Sequence, residues 1–183
     1  MVSKSMAELP VLLPLQGATF DQDRRHRYVL WRIWDRDLPM VMVIGLNPST
    51  ANEDTDDPTV RRCRGFARDW GYGGLWMCNL FSFCTANPKE LFGNTDPLAR
   101  ENSLVLKVVR RKVNVAVVAW GNQGAKVMQW RQWPERVVEM LAPVHCLGVT
   151  GEGQPKHPLY LPKTAELKLY LRRRDEEKSD RAD

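Results

Sequence analysis

The sequence has no apolar run approaching the ~20 residues that a membrane-spanning helix needs, so no membrane partner is expected. It has few cysteines, and none in Cys-x-x-Cys spacing. Cys63, Cys78, Cys84 and Cys146 are too irregularly placed for a zinc or iron–sulfur site, and Cys78 and Cys146 lie in apolar runs that suit core thiols. No metal and no disulfide is expected. There is no Gly-x-x-x-x-Gly-Lys loop and no Gly-x-Gly-x-x-Gly turn, which disfavours nucleoside triphosphatases and dinucleotide enzymes; no cofactor is expected. The first fourteen residues carry one lysine and only a short apolar patch, too little for a secretory signal, so a cytoplasmic location is expected. No internal repeat and no linker is visible.

What is present suits one soluble domain. The chain has 183 residues, 43% of them hydrophobic, enough for one sizeable core. The expected organisation is a leader over 1–16, a single domain over 17–171, and a charged, disordered tail over 172–183. A net charge of +5 and seven tryptophans fit a polyanion partner whose bases stack on aromatic rings, although core or crevice-wall tryptophans are the commoner case.

The chain is organised around Gly45-Leu46-Asn47-Pro48-Ser49-Thr50. It follows the unbroken apolar run Met40–Ile44, which reads as a strand buried on both faces. Gly45 allows a tight turn, and Pro48 keeps Asn47 out of the helical region. Asn47 then sits at the carboxyl end of a central strand, where open α/β sheets place their ligand crevice; an ordinary strand-to-loop turn is the bland alternative. Tyr28–Trp34, with the turn at Asp35–Pro39, reads as a hairpin into that strand. The acids that follow suit a solvated loop, with Asp57 as cap and Pro58 at the first position of a helix running to Trp70. Leu75–Phe83 is a second buried strand, interrupted by Asn79. A buried amide must find partners, so Asn79 is either a structural amide or a ligand-reading one. Asn87–Phe92 starts a helix, Asp96–Arg111 is an amphipathic helix, and Val113–Ala119 is a third strand ending in Trp120-Gly121. Residues 123–141 are mostly helical with a break near Trp133-Pro134. A short strand over Pro143–Gly148 leads into a stiff loop carrying Lys156 and His157, and Thr164–Leu171 reads as a last helix. Alternating strands and helices predict an α/β fold: a three-layer α/β/α sandwich with a mainly parallel central sheet.

Four segments now line up: Gly45–Ser49, Asn79, Trp120-Gly121 and His157-Pro158-Leu159. Residues 18–170 resemble an uncharacterised bacterial and phage family marked by Gly-Leu-Asn-Pro-Ser-Thr-Ala, Asp-Asp-Pro-Thr, Trp-Gly-Tyr-Gly and Gly-Gln-Pro-x-His-Pro-Leu-Tyr-Leu, standing here at Gly45–Ala51, Asp56–Thr59, Trp70–Gly73 and Gly153–Leu161. The four segments also resemble the uracil-DNA glycosylase superfamily, with a first turn most similar to its mismatch-specific branch.

The resemblance implies a glycosylase-like fold and a DNA glycosylase that hydrolyses the N-glycosidic bond of a damaged or modified pyrimidine. Under it Asn47 orients a water, and Asp57 (or Asp54) supplies the carboxylate that the uracil-specific enzymes carry at the turn. His157 donates to the base carbonyl as charge builds there. Asn79, Phe81 and Trp120 hold a flipped base. Ser49 stands where the uracil-specific enzymes carry a Tyr that excludes carbon-5 substituents, so larger pyrimidines are tolerated unless Trp76, Phe81 or Phe83 fills the gap. Lys156, Arg61, Leu159 and Tyr160 contact DNA, with Leu159 or Tyr160 wedging into the gap the base leaves. The expected partner is DNA, duplex or single-stranded, bound by a monomer. The competing readings are a module on the same fold that binds nucleic acid or a nucleotide without cleaving it, and a hydrolase of a free nucleoside or nucleotide.

Overall fold

The computed structural model describes residues 13–91, 99–126 and 132–170. The expected leader falls outside them up to residue 12, as do the tail beyond 170, the first residues of the helix expected from Asp96, and the stretch 127–131.

The described chain is α/β. A seven-stranded sheet is built from β1 (Gln16–Phe20), β2 (Arg27–Ile33), β3 (Met40–Gly45), β4 (Gly74–Asn79), β5 (Val115–Val118), β6 (His145–Cys146) and β7 (Lys168–Leu169), in the order β1-β2-β4-β3-β5-β6-β7. β4, β3, β5 and β6 run parallel; β1, β2 and β7 are antiparallel to their neighbours. The sheet is therefore mixed, not mainly parallel. The antiparallel pairings flank the apolar parallel centre: the buried β2 runs against β4 and carries the half-buried edge strand β1, and the exposed two-residue β7 runs against β6.

Strand alternation divides the core. Met42 and Ile44 of β3, Trp76 and Cys78 of β4, and Ala116 and Val118 of β5 face one side. There they meet Leu106 and Val109 of α2 (Ala99–Arg110) and Val137, Val138 and Leu141 of α4 (Trp133–Leu141). Val41, Val43, Leu75, Met77 and Val117 face the other side, against Val60, Cys63, Phe66 and Ala67 of α1 (Pro58–Asp69). Each large aliphatic side chain buried this way contributes about 2 kcal/mol, which is why the doubly apolar β3 takes the centre. Helix α1 starts where the sequence says: the Asp57 carboxylate accepts from Val60 N at 2.8 Å and Pro58 opens the first turn. Pro134 likewise opens α4, at the expected break near Trp133-Pro134. A single turn, α3 (Gln123–Lys126), follows β5, and a 3-10 turn at Pro88–Leu91 stands where Asn87–Phe92 suggested a helix.

Two local readings are corrected. β2 and β3 do not form a hairpin: β4 is inserted between them, and β2 pairs with β1 and β4. The Asp35–Pro39 turn reverses the chain, but the long apolar register from Met40↔Gly74 to Gly45↔Asn79 gives β3 to β4. Thr164–Leu171 is not a helix within its described part, where Lys168 and Leu169 pair with Cys146 and His145 as β7.

Candidate functional site

The carboxyl ends of β3 and β4 continue side by side beyond the sheet. Leu80 N donates to Gly45 O, Phe81 N to Leu46 O and Thr85 N to Pro48 O, each at 2.9 Å, while Ala119 N joins β5 to Ile44 O at 2.9 Å. A Cβ on Gly45 would stand 2.9 Å from the Asn79 amide, so glycine is what lets the two strand ends close. Asn102 of α2, fully buried, donates to the Asn79 and Leu80 carbonyls at 3.1 and 3.0 Å and pins this ledge from below.

On the ledge opens a crevice of about 700 Å³, within the size range of small-ligand sites. Asn47, Ser49, Asp57, Asn79, Trp120, Lys156, His157 and Tyr160 all line it. So do Arg27, Thr85, Asn122, Gln123 and Thr150, which the sequence did not single out. Phe81 does not: its main chain follows the ledge but its side chain packs into the core beside α2 and α4. Arg61 and Leu159 also lie off the lining; Arg61 donates to the Asp56 carbonyl at 2.5 Å, and Leu159 stands exposed next to the crevice.

Asn47 holds a defined orientation. Its Nδ2 donates to Pro48 O and Thr85 O, both at 2.8 Å. With both amide hydrogens spent, the Oδ1 acceptor is left for a ligand or water. The same two carbonyls disfavour aspartate here, because a carboxylate would face two acceptors. Asn79, 2% exposed, is best satisfied with its nitrogen toward Cys78 O and Asn47 O at 3.1 and 3.3 Å. Its amide thus ties the two strand ends together, and it too has its oxygen left over. The structural and the ligand-reading roles of Asn79 coexist in one side chain.

His157 caps the 3-10 turn Pro158–Tyr160, its Nδ1 accepting from Leu159 N at 3.3 Å. An Nδ1 acceptor in a neutral ring puts the proton on Nε2. Burial lowers the His157 pKa from 6.5, opposed by the charge of Asp57, so the ring is a neutral donor at pH 7. Gly121, at φ +68°, turns the end of β5 under this loop, and its N donates to Pro155 O at 2.8 Å. Trp120 Nε1 donates to Gln154 Oε1 at 3.0 Å, and Tyr170 Oη to Gly153 O at 3.0 Å, fixing the loop to the sheet. Tyr160 is 84% exposed at the crevice.

The His157 proton has a consequence for stability. A folded-state pKa below the unfolded value means that the unfolded chain takes up the proton first, so stability falls as pH drops through 6.5. We expect the thermal midpoint of the wild type to fall more between pH 7.5 and 5.5 than that of His157→Gln. Equal slopes would remove the neutral-donor assignment.

Asp57 reaches the crevice because its loop is anchored. Asp56, its neighbour, receives Arg32 Nε at 2.8 Å and also Arg64, and Arg32 Nη2 donates to Asn52 O at 2.7 Å. Side-chain exposure is 4% for Arg32 and 8% for Asp56, so this is a buried network. Thiol chemistry has no support: burial pushes the Cys63 and Cys78 thiols up to about 12. Among the described residues no His, Cys, Asp and Glu cluster is arranged to hold a metal, and no helix is long and apolar enough to cross a membrane.

Residues 27–159 match a protein family described as a protein of unknown function, DUF1643. The chain belongs to this family. The match begins at Arg27 and ends at Leu159, so it spans every crevice residue named above except Tyr160. Comparison with curated proteins and with solved structures finds no match.

Proposed function

We propose that this DUF1643 member is a DNA glycosylase that hydrolyses the N-glycosidic bond of a modified pyrimidine, carbon-5 substituted ones included. The observation that carries the reading is the meeting, in one crevice, of an Asn47 oxygen with no partner among the described residues and a His157 ring whose Nδ1 accepts from Leu159 N, which leaves the proton of the neutral ring on Nε2. One is an acceptor for a water, the other a donor for a leaving group. The fold belongs to the same proposal. We read the parallel centre β4-β3-β5-β6, with α1 on one face and α2 and α4 on the other, as the glycosylase-like three-layer arrangement.

In this mechanism the target nucleotide leaves the base stack and its base enters the crevice. The C1′–N bond breaks with its electron pair passing to the base, and an oxocarbenium-like sugar remains. His157 Nε2–H donates to the base carbonyl as negative charge gathers there. Asn47 Oδ1 accepts a hydrogen from a water and holds it toward C1′. The water oxygen bonds to C1′, its proton passes to the Asp57 carboxylate, and that proton is finally returned to the released base. Lys156 and Tyr160 meet the DNA backbone and the vacated stack at the crevice mouth, with Arg61 and Leu159 outside it. Such a substrate range suits repair, defence against modified phage DNA or modified-base metabolism.

Ser49 sets the substrate range. Of the aromatics close enough in sequence to compete for the space of the missing Tyr, Trp76 stacks on Trp31, Phe81 is in the core and Phe83 packs edge-on to His26; none of the three lines the crevice. We expect 5-substituted pyrimidines to be excised at least as well as uracil, and Ser49→Tyr to abolish the bulky substrates while sparing uracil, by introducing a clash. Measured excision from oligonucleotides carrying each base decides it. A uracil preference unchanged by Ser49→Tyr would refute the assignment. Excision should also weaken as salt rises, as a DNA substrate demands, whereas a hydrolase of free nucleosides would be nearly indifferent.

A further inference from the structure

Arg27 stands at the start of β2. It is 2% exposed, yet it lines the crevice. An irregularity in the sheet brings it there. Thr19 pairs with Val29 and Phe20 with Arg27, so Tyr28 is an extra residue in β2. Unbroken alternation would put Arg27 on the side of Val29 and Trp31, against α2 and α4. The bulge turns it to the side of Leu30, where Ala51 and α1 lie, and its Nη1 donates to Ala51 O at 2.8 Å. Bulges beside functional sites re-aim side chains in this way.

Arg27 differs from the other buried arginine of its strand. Arg32 has the Asp56 carboxylate at 2.8 Å and donates to the carbonyls of Trp31 and Asn52. Among the described residues the Arg27 side chain has the one carbonyl, its buried Nε has no partner, and no carboxylate ion-pairs with it. Asp57, in the same crevice, acts on it only through space, and burial lowers its pKa. A buried charge with no counter-charge in contact destabilises the fold that holds it. Such a group persists where something else supplies the opposite charge.

We propose that Arg27 is the seat of a negatively charged group on the crevice's ligand, docked next to Asn79. What that anion is rests on the base-excision reading: it is the departing base, which carries the electron pair of the broken bond. Arg27 then stabilises the leaving group in a site whose turn carries Asn47 in place of a carboxylate.

The test is calorimetric and needs no turnover. The full chain is titrated with 5-nitrouracil at a pH where its ring is deprotonated, with uracil as the neutral counterpart, and with inorganic phosphate. The wild type is expected to bind the deprotonated heterocycle about 10- to 100-fold more tightly than uracil, the range of a charge-assisted hydrogen bond. Arg27→Met should lose that preference and Arg27→Lys keep part of it. Without ligand, Arg27→Met should melt at or above the wild-type temperature, because an unpaired buried charge is replaced by an apolar chain of similar length. A destabilised or unfolded Arg27→Met would show a structural arginine and overturn the proposal. So would a preference that survives the substitution, or a wild type that binds none of the probes. Phosphate binding that depends on Arg27, with no binding of either heterocycle, would keep the anion seat and remove base excision.

Discussion

Asn47→Ala and His157→Ala are each expected to lower base excision by about 100- to 1000-fold, the loss that follows removal of one preorganised donor or positioning group from a transition state. The two should differ in stability. His157→Ala gives up one long cap contact at 3.3 Å, worth well under ~1 kcal/mol when half exposed. Asn47→Ala gives up two bonds of 2.8 Å; the Pro48 carbonyl keeps Thr85 N, but the Thr85 carbonyl loses its donor, at a cost of about 1–3 kcal/mol. Single-turnover excision beside thermal melts separates the effects. Rates within threefold of wild type in both variants would strip these residues of their roles.

The largest stability effect is expected at Asp56, outside the crevice. Asp56→Ala leaves the Arg32 guanidinium, 4% exposed, with no carboxylate, and also frees Arg64. Breaking a buried pair by removing one partner costs about 3–5 kcal/mol. Arg32 also anchors the Asn52 carbonyl, so the loop leading to Asp57 should loosen and activity should fall with stability. The neighbouring Asp57→Ala should cost only about 1 kcal/mol, the worth of a helix cap, while removing the crevice carboxylate. Denaturant melts of the two variants check this. Equal destabilisation would mean that the Asp56 network is weaker than its burial implies.

That contrast shows where the sequence could be read and where it could not. Asp57-Pro58 announces a helix start in its own residue types, and the doubly apolar Met40–Ile44 announces a central strand. Asn47, Asn79 and Trp120 each follow or end such a run, the parallel register brings those ends to one end of the sheet, and the loop carrying His157 closes over them. What failed depended on distant partners. Nothing local in Tyr28–Trp34 says that β4 will come between β2 and β3. Nothing in Lys168-Leu169 says that it will edge β6. Phe81 follows Asn79 by two residues, a spacing that predicts a place beside it, but the main chain beyond β4 bonds to Leu46 O and the ring packs into the core. Arg27 was invisible because its aim is set by a bulge whose register involves Thr19 and Phe20. Asp56 and Asp57 look alike in sequence; only their partners divide them into a buried anchor and a crevice carboxylate.

The central claim is bond cleavage, and alkali reports it most directly. The protein is incubated with end-labelled duplex and single-stranded oligonucleotides, each carrying one uracil, 5-substituted pyrimidine or other modified base, and then heated in alkali. The account predicts strand breaks at a modified pyrimidine, with the free base released intact, and breaks about 100- to 1000-fold slower to appear with His157→Ala. DNA whose mobility shifts without a single alkali-labile site, across the whole panel, would contradict it and make the crevice a binding site.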